Sequence, residues 1–528
     1  DCGTQAGACL LAPGAAYAFT FGSDLRSLAK TALPAPGLVE AAHGLPVAAA
    51  VSPTGSALFE GSLTGAGSTR GRARGLFSTV GPGGGVDAVL QLGDDLSGLG
   101  SGYAPGSRVA AFLTPTVNAP SVGAVFQARV TGPGLNAQND RALLRDTGTQ
   151  VSLLRRTGLP VAELGATPIL FHDLLENTAF DFLAVPYALR KSAVDGVDAT
   201  NDSGILCLSH SSLVQTVIAR EGSPAFGGGG TFGAFSSRAD IASGGNLYFT
   251  AKRIPPAGPP VDSIYAMNAI GTGAATSATM VQGLPAPGAA SSETFGSLAG
   301  LSTGSQVAVR VTLKGGPASQ NEGFCNEAGN VVLQKGVALP GQAGLRVTRI
   351  LRYWGVDSTR VMVQAVLAGT GVTGANNQAL LLRQSGGDYQ ILLRTGDVAP
   401  GIGQNKVTVS ALSAVDFDVS SRTYVVLGKL RGAPAAANQA LWRGNIDLGD
   451  NSTLQDQRRP RLLLRKGDRY TTAATAGEVI RGLILRPVAD TSGAGRLATG
   501  RVISGNAGHV IATVQGDRRT QELVVISN

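Results

Sequence analysis

LLRTGDVAPG, from Leu392 to Gly401, joins an apolar strand to a Gly-Asp turn and then to a Pro-Gly turn. Both turns stop a strand, because Gly reaches backbone conformations closed to other residues and Pro cannot donate to a sheet ladder. The stretch recurs along the chain as IAREGSPAFG (Ile218 to Gly227), LAKTALPAPG (Leu28 to Gly37), VLQKGVALPG (Val332 to Gly341) and MVQGLPAPG (Met280 to Gly288). The shorter LLRRTGLP, LLRKGD and VLQLGDD complete the set. Aligning the small residue after each strand gives Ala32, Gly93, Gly158, Gly222, Gly283, Gly336, Gly396 and Gly467, spaced 61, 65, 64, 61, 53, 60 and 71 residues apart. A period this regular marks a repeat architecture.

Two further elements keep the same phase. GSALFEGSL, GAVFQARV, AFDFLAVPYAL, GNLYFTAKR, SQVAVRVTL, TRVMVQAVL, RTYVVLGKL and GRLATGRVI alternate with the period of two expected of sheet strands. A hairpin then leads to a third strand, as in VTGPGLNAQNDRALLR, LAGTGVTGANNQALLLR and KLRGAPAAANQALWR. With a first strand near ILRYWGV or LSAVDFDV, each unit holds four strands, which is the content of a propeller blade. The expected fold is all-β, a single eight-bladed β-propeller of repeats of about 61 residues, at approximately 33–93, 94–158, 159–222, 223–283, 284–336, 337–396, 397–467 and 468–528. Strands nearest the axis are crowded and are expected to be rich in Ala, Gly and Val.

Composition agrees with many short strands and turns. Gly 74, Pro 26 and only 15% charged residues disfavour helical architectures, and 43% apolar residues supply a core. The formal charge of +8 is spread thinly, with local concentrations at Arg70/Arg72/Arg74 and Arg458/Arg459/Arg461/Arg465/Lys466. Neither is interleaved with the aromatic residues that stack bases, so they read as solvated loops and strand edges and no nucleic-acid partner is expected. No uncharged apolar run is long enough for a membrane span. The chain opens on Asp1 without a basic and apolar leader, which reads as an exported chain after signal removal, secreted or at the cell surface. Cys2 and Cys9 enclose a short loop and are the candidate disulfide; Cys207 and Cys325 fall in non-neighbouring repeats and read as buried apolar residues.

The combination GxxAFxAxL, NxALxR and LLRxGDxAPG resembles the tandem-repeat units of large, uncharacterised secreted or surface-attached proteins of environmental bacteria. The resemblance runs from about Leu28 to the C-terminus. It implies a propeller-like fold in an extracellular setting and brings no catalytic residues. The second and third LLRxGD elements lack the Pro-Gly ending.

Motifs that carry chemistry elsewhere fit the repeat better than they fit catalysis. GLSTG (Gly300 to Gly304) has the pattern of a hydrolase nucleophile elbow, but a strand follows where a helix is needed, and VSPTG and DIASGG repeat the turn. GTGVTG (Gly369 to Gly374) precedes a strand rather than the helix that would receive a pyrophosphate. His43, His172, His210 and His509 show no metal-ligand spacing. DGVDATNDSG (Asp195 to Gly204) and DLGDNSTLQD (Asp447 to Asp456) offer oxygens for structural calcium, yet read first as Asx-rich turns; Asn201 and Asn451 begin N-x-S/T sequons. No cofactor is expected.

Before the first full repeat the chain carries AYAFTF (Ala16 to Phe21) and DLRSLAKT (Asp24 to Thr31), a surplus strand pair in residues 1–32. RGLILRPVAD, GRLATGRVI, GHVIATVQ and ELVVIS already provide four strands for the eighth unit. The surplus either closes the ring within the last blade or pairs with a neighbouring subunit, with Tyr17, Phe19, Phe21, Leu25 and Leu28 as assembly residues. The functional expectation is a non-enzymatic extracellular structural protein that assembles with copies of itself into a filament, tube or coat. The alternative is a propeller binding module for an extracellular glycan or other ligand.

Overall fold

The computed structural model describes residues 25–51, 56–80, 85–99, 102–117, 123–171, 182–209, 215–227, 229–241, 246–267, 275–290, 292–303, 307–403, 406–419, 421–447, 460–485, 503–504, 509–517 and 520–527. Seven consecutive antiparallel sheets of four strands follow one another, each in simple up-and-down order. Their first strands are Ala42–Val51, Arg108–Val117, Pro168–Phe171, Thr231–Ile241, Thr294–Thr303, Leu345–Gly355 and Thr408–Asp418. First strands meet one another between blades one and two, four and five, and five and six, and the first blade also touches the last, so the ring is an eight-bladed propeller with first strands at its hub. Most inner strands carry the small residues that crowding favours, as in AHGLPVAAAV and TFGSLAGLST. The inner strand of blade six, LRVTRILRYWG, is different.

The repeated small residue is the hinge between blades. Ala32, Gly93, Gly158, Gly222, Gly283, Gly336, Gly396 and Gly467 all have positive φ, between 70° and 94°. Each donates its backbone N–H to the next inner strand, at the carbonyls of His43, Val109, Pro168, Phe232, Phe295, Val347, Val409 and Ile480 in turn. These eight bonds define one common register for the whole ring. In the Ala-Pro-Gly copies the Ala is buried, as at Ala35, Ala286 and Ala399. The Pro carbonyl that follows takes a hydrogen bond from the blade being entered, Pro287 from Val331 N–H at 2.7 Å and Pro400 from Trp442 Nε1 at 3.0 Å. Where Pro-Gly is missing, the 3-10 turns Ser97–Leu99 and Ala162–Leu164 stand in its place.

The first polar residue of the third strand ties blades together. Gln439 donates Nε2 to Leu483 O at 2.8 Å and accepts Leu483 N–H at 2.9 Å. Arg141 reaches Phe171 O in the same way. In the preceding hairpin, Asn139, Asn201 and Asn376 each close a turn with Nδ2 on the carbonyl five residues back, Gly134, Gly196 and Gly371. These asparagines stand one residue before the N-x-A-L element, whose own Asn in blade six is Asn377, and its second position holds the inter-blade residue Gln439 in blade seven.

The eighth blade corrects the expected strand count. It consists of Gly482–Ile484, His509–Gln515, Gln521–Ile526 and, as its outer strand, Leu25–Lys30 from the N-terminus. Of GRLATGRVI only Ile503 lies in a described strand, Ile503–Ser504, which pairs with His509–Gln515. GHVIATVQ and ELVVIS are therefore the second and third strands, and DLRSLAKT is no surplus: it is the fourth. The N-terminal strand Leu25–Lys30 belongs to the ring.

A buried glutamate marks this closure. The third-strand residue paired with the last residue of the outer strand is Gly75, Ala142, Gly204, Ser263, Gly323, Ala379 or Ala440 in blades one to seven. There is little room for more; a Cβ on Gly204 would lie 2.4 Å from Ala219 O. In blade eight the same position is Glu522, paired with Lys30 and fully buried. A hairpin, Arg469–Thr472 and Thr475–Val479, supplies its donors: Tyr470 Oη at 3.1 Å, Thr472 Oγ1 at 2.5 Å and the Thr475 hydroxyl. Lys30 Nζ donates to Thr475 Oγ1 at 2.6 Å and to Glu478 Oε1 at 2.7 Å.

Candidate functional site

The departure in blade six opens toward the hub. Counting two residues beyond the register-defining carbonyl gives Leu45, Ala111, Leu170, Ala234, Ser297, Ala411 and Gly482 in the other blades, and Arg349 in blade six. Arg349 is exposed. Three residues on, Arg352 is half-buried and donates Nη1 to Val415 O of blade seven at 3.1 Å. Backbone irregularities on both sides of Ile350 set these two arginines off from the regular alternation of the strand.

Arg310, in the second strand of blade five, completes the group. Its guanidinium is paired with Glu322 of the same blade. Gln364 Nε2 donates to Leu412 O at 3.2 Å, which holds the blade seven wall against blade six. The resulting cleft, of about 620 Å³, is lined by Arg310, Arg349, Arg352, Gln364, Leu412 and Ser413, with Ile350, Leu351 and Gln378 beside them. None of its lining residues is acidic or aromatic. Arginine supplies every charged side chain of the lining, which makes its surface basic. Chemically, it can donate several hydrogen bonds to an oxyanion; it holds no nucleophile and base in contact.

The residues singled out in the sequence lie elsewhere. Leu25 and Leu28 sit in the ring-closing strand, where Leu25 pairs with Ile526 and Leu28 is buried at a bulge. Of the two places offered for this segment, ring closure and a contact between subunits, Leu25 and Leu28 occupy the first, in a strand paired with Gln521–Ile526. Cys2, Cys9, Tyr17, Phe19 and Phe21 lie outside the described residues. Cys207 and Cys325 are buried free thiols, both pushed up to about 12 by desolvation.

The basic clusters are partly engaged in structure. Arg72 pairs with Asp94 at 2.8 Å and Arg74 with Glu60 at 3.0 Å. Lys466 binds Ala435 O at 2.7 Å, and Arg458 and Arg459 lie outside the described residues. Ser302 is inside a strand, not on an elbow, and Gly369 to Gly374 form a hairpin. Asp198 spends its carboxylate on Thr200 N–H and Oγ1, as an Asx turn does. His43 is buried against the rings of Phe59 and Phe77, and desolvation lowers its pKa to about 4. Among the described residues no group of three or more His, Cys, Asp or Glu is placed to hold a metal ion.

Sequence reasoning recognised the strand ILRYWGV but missed the cleft. The signal was present as arginine at a hub position filled elsewhere by small or aliphatic residues, and it becomes visible only once the common register is known.

A model described as a family of unknown function (DUF7453) matches residues 20–342 and, in an overlapping frame, 104–445. The chain belongs to this family. Overlapping matches of one model are what internal repetition produces. No curated protein matches the chain in sequence. Among solved structures it is similar to an oligogalacturonate lyase in complex with manganese, at 14% identity and a TM-score of 0.33, over 78% of this chain and 90% of that one. It is also similar to prolyl oligopeptidase B from Galerina marginata, at 9% and 0.39 over 90% and 55%. A third similarity is to Trypanosoma rangeli sialidase, at 9% and 0.26 over 96% and 59%. At such scores these likenesses carry no argument about function.

Proposed function

We propose that this DUF7453 chain is a non-enzymatic extracellular binding module whose ligand sits in the hub-side cleft at blades five to seven. One observation carries the reading: among eight inner strands in a common register, a single one places a charged side chain at the Arg349 position. Residues that serve only the propeller repeat with it, whereas a local exception in a concave site is where binding groups are expected. Rigid strands on three blades position the groups, which suits recognition without a moving part.

The test is a titration of the full chain with a panel of neutral and charged extracellular polysaccharides, alongside Ser413→Trp, which fills the cleft from its exposed blade seven wall. Binding that disappears in the filled variant supports the reading; binding that survives it overturns the site. New reducing ends or other products after prolonged incubation would overturn the non-enzymatic part. Self-assembly through the segment before Leu25 is a separate proposal, resting on the strand-like pattern of AYAFTF in the sequence. Sedimentation of the chain with and without residues 1–24 tests it, and an unchanged profile would sink it.

A further inference from the structure

We infer that the ligand of this cleft is an anionic saccharide, held through carboxylate or sulfate groups by Arg349 with Arg310 and Arg352 in support. The inference rests on the binding-module reading and adds the chemical class. Arg349 lines the cleft and is exposed, so its guanidinium can meet a carboxylate or sulfate in the planar two-point geometry that Arg favours. Arg352 is anchored on Val415 O and Arg310 on Glu322, so both hold their positions before a ligand arrives. Preorganised donors cost less ordering on binding than free ones.

Size and lining narrow the class. A volume of about 620 Å³ is far more than one inorganic oxyanion fills and lies within the roughly 300–1,000 Å³ range of pockets for ligands of several rings. Ser413 and the glutamines offer hydroxyl and amide partners for sugar hydroxyls, although Gln364 already spends a donor on Leu412. The absence of any aromatic lining residue removes the base-stacking platform that single-stranded nucleic acid uses. The shared chemistry is an oxyanion on a saccharide, and uronates and sulfated sugars are its two sources.

The experiment titrates the full chain by calorimetry with a uronate oligosaccharide, a sulfated oligosaccharide, a neutral oligosaccharide of equal length and a short polyphosphate. It is repeated at two salt concentrations and with Arg349→Ala, Arg349→Glu and Ser413→Trp. The expected result is that at least one anionic saccharide binds and the neutral one does not. Affinity should weaken on adding salt, fall tenfold or more in Arg349→Ala and vanish in Arg349→Glu. Which of the two anionic saccharides binds identifies the source of the oxyanion.

Binding of the neutral oligosaccharide that is blocked by Ser413→Trp but untouched by Arg349→Glu would overturn the anionic inference while leaving the cleft as the site. Binding that ignores Ser413→Trp would overturn the cleft itself. Polyphosphate binding as tightly as the saccharides would reduce the recognition to charge and overturn the saccharide class. No binding by any probe would also overturn the inference. Far-ultraviolet circular dichroism and the melting temperature of each variant separate a lost site from a lost fold.

Discussion

Blades six and eight share the same antiparallel order of four main strands, yet at one equivalent position, opposite the end of the outer strand, the first holds Ala379 and the second Glu522. In blade six the strands follow one another in sequence, and the pairing Ala379 to Arg394 needs no device beyond the hairpin that precedes it. In blade eight the outer strand arrives from the other end of the chain, about five hundred residues away, so no short loop brings it into register. A buried carboxylate ringed by Tyr470, Thr472 and Thr475, with Lys30 bound to the same threonine, supplies a register marker in its place. The difference teaches that local connectivity sets register in seven blades, and a polar network sets it in the eighth.

The comparison can be broken most directly by exchange. Ala379→Glu places a carboxylate in blade six where there is no hairpin of hydroxyls to receive it, and should cost roughly 4–5 kcal/mol, the scale for an unpaired buried charge. A near-normal melting temperature for this variant would show that the position accepts a charge anywhere in the ring. Glu522→Ala should cost about 3 kcal/mol, because three hydroxyl donors lose their acceptor in a buried site. The loss should concentrate at the closure, as faster hydrogen exchange of residues 25–30 and 521–526; uniform acceleration around the ring would contradict the role given to Glu522.

A second contrast lies at the register-defining position, where blades two, six and seven hold Val109, Val347 and Val409 and blade one holds His43. Burial lowers the folded-state pKa of His43 from 6.5 to about 4. The unfolded chain therefore binds this proton first as pH falls, so the stability of the neutral form is present above about pH 6.5 and is lost between there and about pH 4. The loss amounts to roughly 3 kcal/mol, at 1.36 kcal/mol per pH unit. His43→Val should flatten the melting temperature over that window; an unchanged slope would assign it to other groups.

The inter-blade turn gives the smallest pair of effects, of opposite sign. Gly396 has φ +88°, and a Cβ there would lie 2.8 Å from Asn376 Cβ, so Gly396→Val should destabilise by about 2 kcal/mol. Ala32 is the one non-glycine among the eight turn residues, at φ 70°. Ala32→Gly removes that strain at the expense of more unfolded-chain entropy, for a net gain of about 0.5 kcal/mol. A loss of stability at Ala32 would mean that the methyl group contributes more packing than its backbone costs.

The repeat was legible because its markers are local. A Gly that must sit at positive φ, an Asn that closes its own hairpin and a buried Ala before Pro-Gly recur wherever the turn recurs, and alternation of side chains reports a strand without knowledge of its partner. The closing strand was legible as a strand, since DLRSLAKT has the pattern of a fourth strand, but not as to its partner. Pairing of strands from opposite ends leaves no spacing signal. The cleft was illegible for the same reason: Arg310, Arg349 and Ser413 come from three blades, and nothing in their separation along the chain announces that they meet.

Sequence by itself determined the all-β class, the number of blades, the phase of each repeat and the turn positions that only glycine occupies without strain, because each follows from the conformational limits of a few adjacent residues. Tertiary structure alone decided that Leu25–Lys30 completes the eighth blade, that Glu522 can be buried, and that three arginines line one cleft. Those outcomes depend on which surfaces the closed ring brings together, and ring closure is a property of all eight blades at once.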